Sequence, residues 1–340
     1  MILPNKKSTL VIFLLLSCIS LFSQREPLNI ILDTDLDSDI DDAAALAALH
    51  HYANEGKVKI LATISCSALP SSVELIDIIN TYYNRPDIPV AKPEPGAPAK
   101  KWIVKGEQVS REFPHDITFS NAPTSNRVYR QILSKQEDNS VIIISLGYLN
   151  NLFELLQTRP DEFSNLNGKE LVRKKVRAYY CMAGRYPADT DDKQSKAGNF
   201  RPDPAASIFV EKQWPTRLVY TGGGDFAWRV ACGNALKKTK KDNPVRRIYE
   251  LGKGWKSDNW EHHSADIIAV YVAVEGIDDF FREIKSGYNY FDRYGRNRWV
   301  SDYDNPLRSY VSEFKEESNP DEIKEIFNFI ISQSPQILEF

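Results

Sequence analysis

The sequence predicts an α/β fold with an open, mostly parallel central sheet and helices on both of its faces. Short continuous apolar runs at residues 28–32 and 141–145 are typical of strands that are buried on both sides. Segments with apolar residues at helical spacing, such as residues 73–83, lie between such runs. Because the two patterns alternate along the chain, a parallel sheet covered by helices is favoured.

The predicted elements follow one another without a composition break that would mark a second domain. Strands are predicted at residues 28–32, 59–65, 88–90, 141–145, 176–182 and 217–220. Helices are predicted at residues 43–50, 73–83, 149–157 and 265–274. Residues 91–126 are rich in Pro, Lys and Ser and are predicted to form surface loop. From about residue 287 onward the chain is aromatic and charged, and we expect it to pack on the same core.

Length and composition indicate a globular protein and exclude several other classes. The 340 residues include 43 Lys and Arg against 46 Asp and Glu, which gives a formal net charge of −3. A chain of this length can bury a sizeable hydrophobic core without disulfides or bound metal ions to stabilise it. The slightly acidic balance argues against a nucleic-acid partner, since nucleic-acid-binding proteins normally carry a basic surplus.

Residues 1–24 are predicted to be a signal peptide. Two lysines precede an apolar run at residues 10–16, and small or polar residues follow it. The run is short for a transmembrane helix, so we expect an exported chain, periplasmic or secreted, without a transmembrane span in its mature form. An uncleaved anchor and lipidation at Cys18 are the alternatives. The mature chain, residues 25–340, is expected to be a single domain.

Six aspartates lie within ten residues directly after the first predicted strand. They are Asp33, Asp35, Asp37, Asp39, Asp41 and Asp42. Like charges packed this closely repel one another, and a divalent cation that prefers oxygen ligands, Ca²⁺ or Mg²⁺, makes such a cluster tolerable. Capping of the following helix explains only two of the six carboxylates. An EF-hand is excluded, because Ser38 and Ala44 stand where that loop needs Gly and Glu.

Two enzymatic interpretations of this cluster are open from the residues alone. In the first, Asp33 is a phosphoryl-accepting nucleophile and Asp35 its acid-base partner, as in phosphatases of the haloacid-dehalogenase type. Those enzymes carry Thr or Val where this chain has Asp37. In the second, the cluster holds Ca²⁺ and activates a water for attack on a sugar, and the carboxylates stabilise an oxocarbenium-like state.

A family resemblance supports the second interpretation. The block Ile31-Leu32-Asp33-Thr34-Asp35 … Asp41-Asp42-Ala43 is similar to the signature Asp-x-Asp-Pro-Gly-x-Asp-Asp-Ala of the inosine-uridine-preferring nucleoside hydrolases, with five residues where the signature has three. Further similarity lies at residues 80–90, 146–152, 182–184 and 199–206, so the resemblance covers nearly the whole mature chain. It implies the Rossmann-like fold of that family and a Ca²⁺-dependent hydrolysis of the N-glycosidic bond of ribonucleosides or related ribosides.

The resemblance also implies roles for the matching residues. The Ca²⁺ ligands would be Asp35, Asp42, the backbone carbonyl of Leu146 and Asp266. Asp35 would also be the general base. Asp41 and Asn199 would bind ribose hydroxyls, and Asp33 would support the site from the strand end. Asp39 is a further supporting candidate within the cluster.

Three departures from the family pattern affect the sugar and leaving-group ends of the site. Ala197 replaces a glutamate, Ala265 replaces a histidine directly before Asp266, and residues 65–68 replace an asparagine after the second strand. They keep two alternatives open, a hydrolase of another sugar conjugate and a non-catalytic nucleoside- or sugar-binding protein.

Several aromatic residues precede Asp266 in the sequence. His262 and His263 are candidates for the leaving-group acid, with ordinary surface-loop histidines as the alternative. Trp255 and Trp260 are candidates for stacking on a base, with core packing as the alternative. The expected partner is therefore a small nucleoside or riboside, and a homo-oligomer is an open expectation.

Overall fold

The computed structural model describes residues 26–186, 198–254 and 256–336. Its strands are β1 (Leu28–Thr34), β2 (Val58–Ser65), β3 (Val90–Ala91), β4 (Val141–Ser145), β5 (Val176–Met182), β6 (Arg217–Thr221), β7 (Phe281–Lys285), β8 (Gly287–Phe291), β9 (Asn297–Ser301) and β10 (Arg308–Phe314). Its α-helices are α1 (Asp41–Asn54), α2 (Pro70–Tyr82), α3 (Gly106–Glu112), α4 (Ser125–Ser134), α5 (Asn150–Gln157), α6 (Gly168–Lys175), α7 (Pro204–Gln213), α8 (Asp225–Trp228), α9 (Pro244–Lys253), α10 (Ala265–Val274) and α11 (Pro320–Ile331).

Eight strands form the main sheet in the order β3-β2-β1-β4-β5-β6-β10-β7, and β8 and β9 form a separate antiparallel pair. Neighbours in the main sheet are parallel except for β10 and β7. The chain order reverses between β1 and β4, since β2 and β3 lie on one side and β5 and β6 on the other. Ligands of open parallel sheets bind beyond the carboxyl ends of the strands at such a reversal. The predicted fold class is confirmed.

The core is divided between the two faces of the sheet. Ile30 and Leu32 of β1 belong to one hydrophobic cluster, whereas Ile31 belongs to the other. All three side chains are fully buried, which explains why β1 is apolar at every position rather than at alternate positions. Helices α1 and α10 cover the first face, and α4 and α5 cover the second. Helices α1 and α10 carry acidic residues of the predicted site at their amino-terminal ends.

Two parts of the chain differ from the prediction. The surface loop predicted for residues 91–126 is wrong for residues 106–112, which form α3. This helix contains one large apolar residue, Val109, which is fully buried, so its sequence lacks a helical apolar period. The segment after residue 287 does more than pack on the core, because β10 enters the main sheet between β6 and β7. Among the described residues, no helix is both long enough and apolar enough to span a membrane.

Candidate active site

A pocket of about 240 Å³ lies beyond the carboxyl ends of β1 and β4. Eight of the residues that the sequence predicts for the site line it: Asp35, Asp39, Asp41, Asp42, Leu146, Asn199, His263 and Asp266. Helix α1 begins at Asp41 and α10 begins at Ala265, so both helices direct their amino-terminal ends toward the pocket. The positive end of each helix dipole favours the negative charge gathered there.

Three carboxylates in this pocket come close enough to share one cation. One oxygen from each of Asp41, Asp42 and Asp266 lies within 4.8 Å of the other two. The Oδ1 of Asp266 is buried and has no hydrogen-bond partner. Burial, reinforced by the neighbouring carboxylates, raises the pKa of Asp42 and of Asp266 well above the usual range. Mutually repelling oxygen donors with an unpartnered atom fit a divalent cation such as Ca²⁺.

Asp35 lines the same pocket but lies outside this group of three oxygens. Its Oδ2 accepts a hydrogen bond of 2.8 Å from the Oγ of Ser38. Burial raises the pKa of Asp35 to about 6, although the hydrogen bonds from Ser38 and Tyr148 oppose the shift. A carboxyl group with a pKa this close to neutrality is suited to proton transfer. Asp41 lies beside Asp42 and Asp266, and Asp35, whose charge helps to raise the pKa of Asp42, lines the same pocket.

Asp33 lies beneath the pocket and does not line it. Its Oδ2 accepts hydrogen bonds from the hydroxyl of Tyr129 at 2.8 Å and from the Nδ2 of Asn151 at 3.0 Å. The side chain is fully buried, and burial raises its pKa to about 7 despite these bonds. A carboxylate enclosed in this way has no path to a phosphoryl group bound in the pocket. This placement argues against the phosphatase interpretation and suits a supporting residue.

Two histidines from the segment before α10 hold Asp39 between them. The Nε2 of His262 lies 2.7 Å from the Oδ1 of Asp39, and the Nε2 of His263 lies 3.1 Å from its Oδ2. Burial disfavours ionisation of Asp39, but the two histidines outweigh it and hold its pKa well below the usual range. His262 is buried behind the pocket, whereas His263 lines it. Neither residue is an ordinary surface-loop histidine.

His263 also contacts Asp41 on the other side of its ring. Its Nδ1 lies 3.0 Å from the Oδ2 of Asp41. Burial disfavours the charged imidazolium, but Asp41 and Asp39 outweigh this effect and raise the pKa of His263 to about 10. The imidazolium form therefore predominates at neutral pH, which gives the pocket one proton donor among its carboxylates.

Asn199 links the ends of two strands at the pocket wall. Its Nδ2 donates hydrogen bonds to the backbone carbonyls of Leu146 at 2.6 Å and Met182 at 2.8 Å. A carbonyl oxygen has two lone pairs, so the Leu146 carbonyl can accept this bond and still contact a cation. Because the amide nitrogen of Asn199 is engaged by the backbone, the predicted contact with a sugar hydroxyl would fall to its amide oxygen.

Trp228 is a pocket residue that the sequence reasoning missed. It is 49% exposed, and its ring stands edge-on to His262 and His263 at centroid distances of 5.5 and 5.4 Å. The residue follows the Gly222-Gly223-Gly224 loop after β6. Its place shortly after the carboxyl end of a strand is the signal that could have identified it.

The remaining sequence candidates lie elsewhere. Trp260 is buried, with the Nζ of Lys237 5.6 Å from its ring centroid, and it does not line the pocket. The interpretation of Trp260 as a stacking residue is therefore wrong, because core packing takes up its ring. Ala265 lines the pocket. Trp255 and Ala197 fall outside the described residues.

The fold is similar to solved nucleoside hydrolases, although no protein-family model matches the sequence and no curated protein sequence aligns with it significantly. An inosine-guanosine nucleoside hydrolase superimposes with a TM-score of 0.66 at 16% identity over 90% of this chain and 99% of that one. A plant nucleoside hydrolase gives 0.65 at 14% identity over 90% and 99% of the two chains. A purine-preferring ribonucleoside hydrolase from Gardnerella vaginalis gives 0.63 at 14% identity over 89% and 98%. The chain therefore has the nucleoside hydrolase fold that the sequence resemblance implied.

Proposed function

We propose that this protein is a Ca²⁺-dependent N-glycoside hydrolase of ribonucleosides or related ribosides. The observation that carries the proposal is the grouping of Asp41, Asp42 and Asp266 in one pocket at the chain-order reversal of a nucleoside hydrolase fold. Structurally similar proteins are named for hydrolysis of inosine, guanosine or purine ribonucleosides. The aspartates that line the pocket could contact the sugar of such a substrate, and the aromatic ring of Trp228, which also lines the pocket, could contact its base.

The proposed metal ligands are Asp42, Asp266 and the Leu146 carbonyl, with Asp35 or Asp41 completing the set. A cation bound there supplies charge compensation and lowers the pKa of a nucleophilic water. Magnesium demands stricter octahedral geometry, whereas Ca²⁺ accepts a larger and more flexible set of oxygen ligands. The crowding of carboxylates in this pocket is our reason for preferring Ca²⁺.

Other side chains of the pocket would transfer protons, bind the ribose and stabilise developing charge. Asp35 would accept a proton from the attacking water, since its pKa of about 6 leaves it ionised at neutral pH. Asp41 and Asn199 would orient the ribose through its hydroxyls. His263, with a pKa raised to about 10, would donate a proton to the departing base. The surrounding carboxylates would stabilise positive charge that develops on the sugar.

A second candidate is a hydrolase of a different sugar conjugate. Ala265 favours it, because this buried pocket residue directly precedes Asp266, where the resembling family carries a histidine. Compared with a histidine, the methyl group of Ala265 leaves more space at the leaving-group end of the pocket and offers no proton donor there. A binding protein without turnover is the remaining alternative.

We also propose that the chain is exported and that residues 25–340 act as one domain. The support for export is the charge and apolar pattern of residues 1–24. The support for one domain is the single main sheet of eight strands. Mass spectrometry of the mature amino terminus distinguishes cleavage near residue 24 from lipidation at Cys18. An intact amino terminus on protein recovered from the producing cell would contradict both.

Turnover of a nucleoside panel tests the proposed activity. The purified protein is incubated with purine and pyrimidine ribosides and with other glycosides, in Ca²⁺ or in a chelator, and free base and reducing sugar are measured. We expect release from at least one riboside that requires Ca²⁺ and is lost in Asp42→Asn, while Asp304→Asn, an exposed aspartate away from the pocket, retains it. Release only from other glycosides selects the second candidate, and riboside binding by calorimetry without release selects the binding protein.

A further inference from the structure

We propose that the riboside of this pocket carries a phosphoryl group on its sugar, held by a basic rim of Lys100, Lys101, Arg185, Arg201 and Arg293. The inference rests on the proposed function and narrows its substrate class. It follows from the charge of the surface next to the pocket, from the contacts that fix one part of that surface, and from the position of Trp228 and His263 away from it.

The acidic pocket opens into a wider cleft of opposite charge. The cleft has a volume of about 870 Å³ and shares Lys100, Trp102, Arg185 and Gly198 with the pocket. Every charged side chain that lines the cleft among the described residues is a lysine or an arginine. The five aspartates of the pocket are absent from this lining. A ligand that spans both spaces would therefore meet carboxylates at one end and cations at the other.

Three cations of the rim, Lys100, Arg201 and Arg293, form no ion pair among the described residues. Lys101 pairs with Glu107 at 2.7 Å, and Arg293 contacts the hydroxyl of Tyr294 at 2.6 Å. Lys100 and Arg201 are exposed and form no ion pair with any carboxylate in the described part of the chain. Cations gathered around one cleft repel one another, and an anion between them relieves this repulsion. Arginine and lysine bind phosphate through strong charge-assisted hydrogen bonds.

The aspartate-rich segment itself fixes one side of the rim. The Oδ1 of Asp37 accepts a hydrogen bond of 3.0 Å from the backbone nitrogen of Gly106. The carbonyl of Ser38 accepts another, of 3.2 Å, from the nitrogen of Ile103. These contacts tie the stretch that carries Lys100 to the connection between Asp35 and α1. The connection is two residues longer than the family signature, and both contacts come from it.

The cleft and the leaving-group end of the pocket have different linings. Trp228 and His263 line the pocket but not the cleft, whereas Gly198, directly before Asn199, lines both. A base placed against Trp228, with its ribose over the carboxylates, would direct a substituent of the sugar into the cleft. The common anionic substituent of a riboside is the phosphoryl group that a nucleotide carries at the 5′ position of its ribose. The leaving base and the phosphoryl group would then be recognised independently.

Steady-state kinetics with matched substrates tests the rim. We expect kcat/KM for inosine, adenosine or uridine 5′-monophosphate to exceed that for the parent nucleoside by about tenfold or more, because each charge-assisted contact contributes strongly. The double variant Lys100→Gln/Arg201→Gln should lower this ratio by about tenfold. Lys135→Gln replaces an exposed lysine that precedes the amino-terminal end of β4, whereas the pocket lies beyond the carboxyl ends of the strands. This variant should not change the ratio. A ratio near one, or a ratio that the double variant does not change, overturns the inference.

Calorimetry separates failure of this inference from failure of the proposed function. Ribose 5-phosphate and ribose are titrated into the full chain in Ca²⁺, with the double variant as comparison. Tenfold tighter binding of ribose 5-phosphate that the double variant loses, without hydrolysis of any riboside, supports the rim and contradicts the hydrolase. Hydrolysis of nucleosides with equal affinity for the two sugars supports the hydrolase and overturns the rim.

Discussion

The Nδ1 of His263 lies 3.0 Å from the Oδ2 of Asp41, which joins the segment before α10 to the first turn of α1. The imidazole therefore enters the pocket three residues upstream of Asp266, and not from the preceding position, which Ala265 occupies. Because Asp39 holds the other ring nitrogen at 3.1 Å, the ring orientation is fixed by two carboxylates. An imidazole therefore lines the pocket although Ala265 occupies the position directly before Asp266.

Replacing His263 should impair release of the leaving group. We expect His263→Gln to lower kcat by about a hundredfold, the usual contribution of a positioned general acid, with a smaller change in KM. His262→Gln is the matched control, since His262 contacts Asp39 but does not line the pocket. Rescue by substrates with a good leaving group, such as p-nitrophenyl riboside, should be confined to His263→Gln. Equal losses in both variants without such rescue would contradict a proton-donating role.

Replacing Asp33 should affect stability more than chemistry. Asp33→Ala leaves the buried hydroxyl of Tyr129 without an acceptor, whereas the Nδ2 of Asn151 keeps its hydrogen bond to the Ser65 carbonyl. We therefore expect a loss of about 1–3 kcal/mol in the free energy of unfolding, the cost of one stranded buried group. Asp33→Asn keeps one acceptor oxygen and should lose less. Urea denaturation gives both values. A stable Asp33→Asn variant whose activity falls as far as that of Asp35→Asn would place Asp33 in the chemistry instead.

The sheet and its acidic edge are predictable from sequence for a common physical reason. Strands buried on both faces, such as β1 and β4, are apolar at every position, and residues directly after them must lie at one edge of a parallel sheet. Asp35 and Leu146 are therefore brought together by topology alone. Asp266 follows because α10, apolar on all sides, has to be buried beside the sheet.

Other features depend on contacts between residues far apart in the chain, which no local pattern encodes. Helix α3 has one large apolar residue, and its first backbone nitrogen is satisfied by Asp37 from a different element. The place of Trp228 at the pocket likewise depends on residues far away in the chain, since its ring stands beside His262 and His263. Local periodicity indicates which residues are buried. It does not indicate which distant side chain donates or accepts a hydrogen bond, or which one lines the pocket.

Calcium should stabilise the protein more at pH 8 than at pH 5. Without metal, burial and carboxylate repulsion raise the pKa of Asp35, Asp42 and Asp266 above the unfolded value near 3.8. The folded state therefore keeps protons that the unfolded chain has lost. The free energy of unfolding falls as the pH rises from the unfolded pKa near 3.8 through the raised pKa values of the folded state, and above them these groups cause no further fall. Ca²⁺ at a hundred times its Kd would restore about 2.7 kcal/mol.

Differential scanning calorimetry at both pH values, with and without Ca²⁺, measures this effect. The metal-free Tm should fall from pH 5 to pH 8, and Ca²⁺ should reverse that fall. Asp42→Asn should lose most of the Ca²⁺-induced shift, while Asp304→Asn should keep it. A Tm shift of the same size at both pH values, or one that NaCl of equal ionic strength reproduces, would contradict a buried cation site.

Asp37 should control the segment that carries Lys100 without taking part in the chemistry. Its carboxylate accepts hydrogen bonds from Gly106 and from Ser71, and its backbone has a φ of 95°, in the left-handed region that Asp tolerates better than most residues. Asp37→Ala strands both donors, so we expect a loss of about 2 kcal/mol or more in the free energy of unfolding. We also expect a higher KM for 5′-monophosphates with little change in kcat. Asp37→Asn, which retains one acceptor oxygen, should show less than half of each effect, whereas an unchanged KM in a destabilised Asp37→Ala would show that the tether serves stability alone.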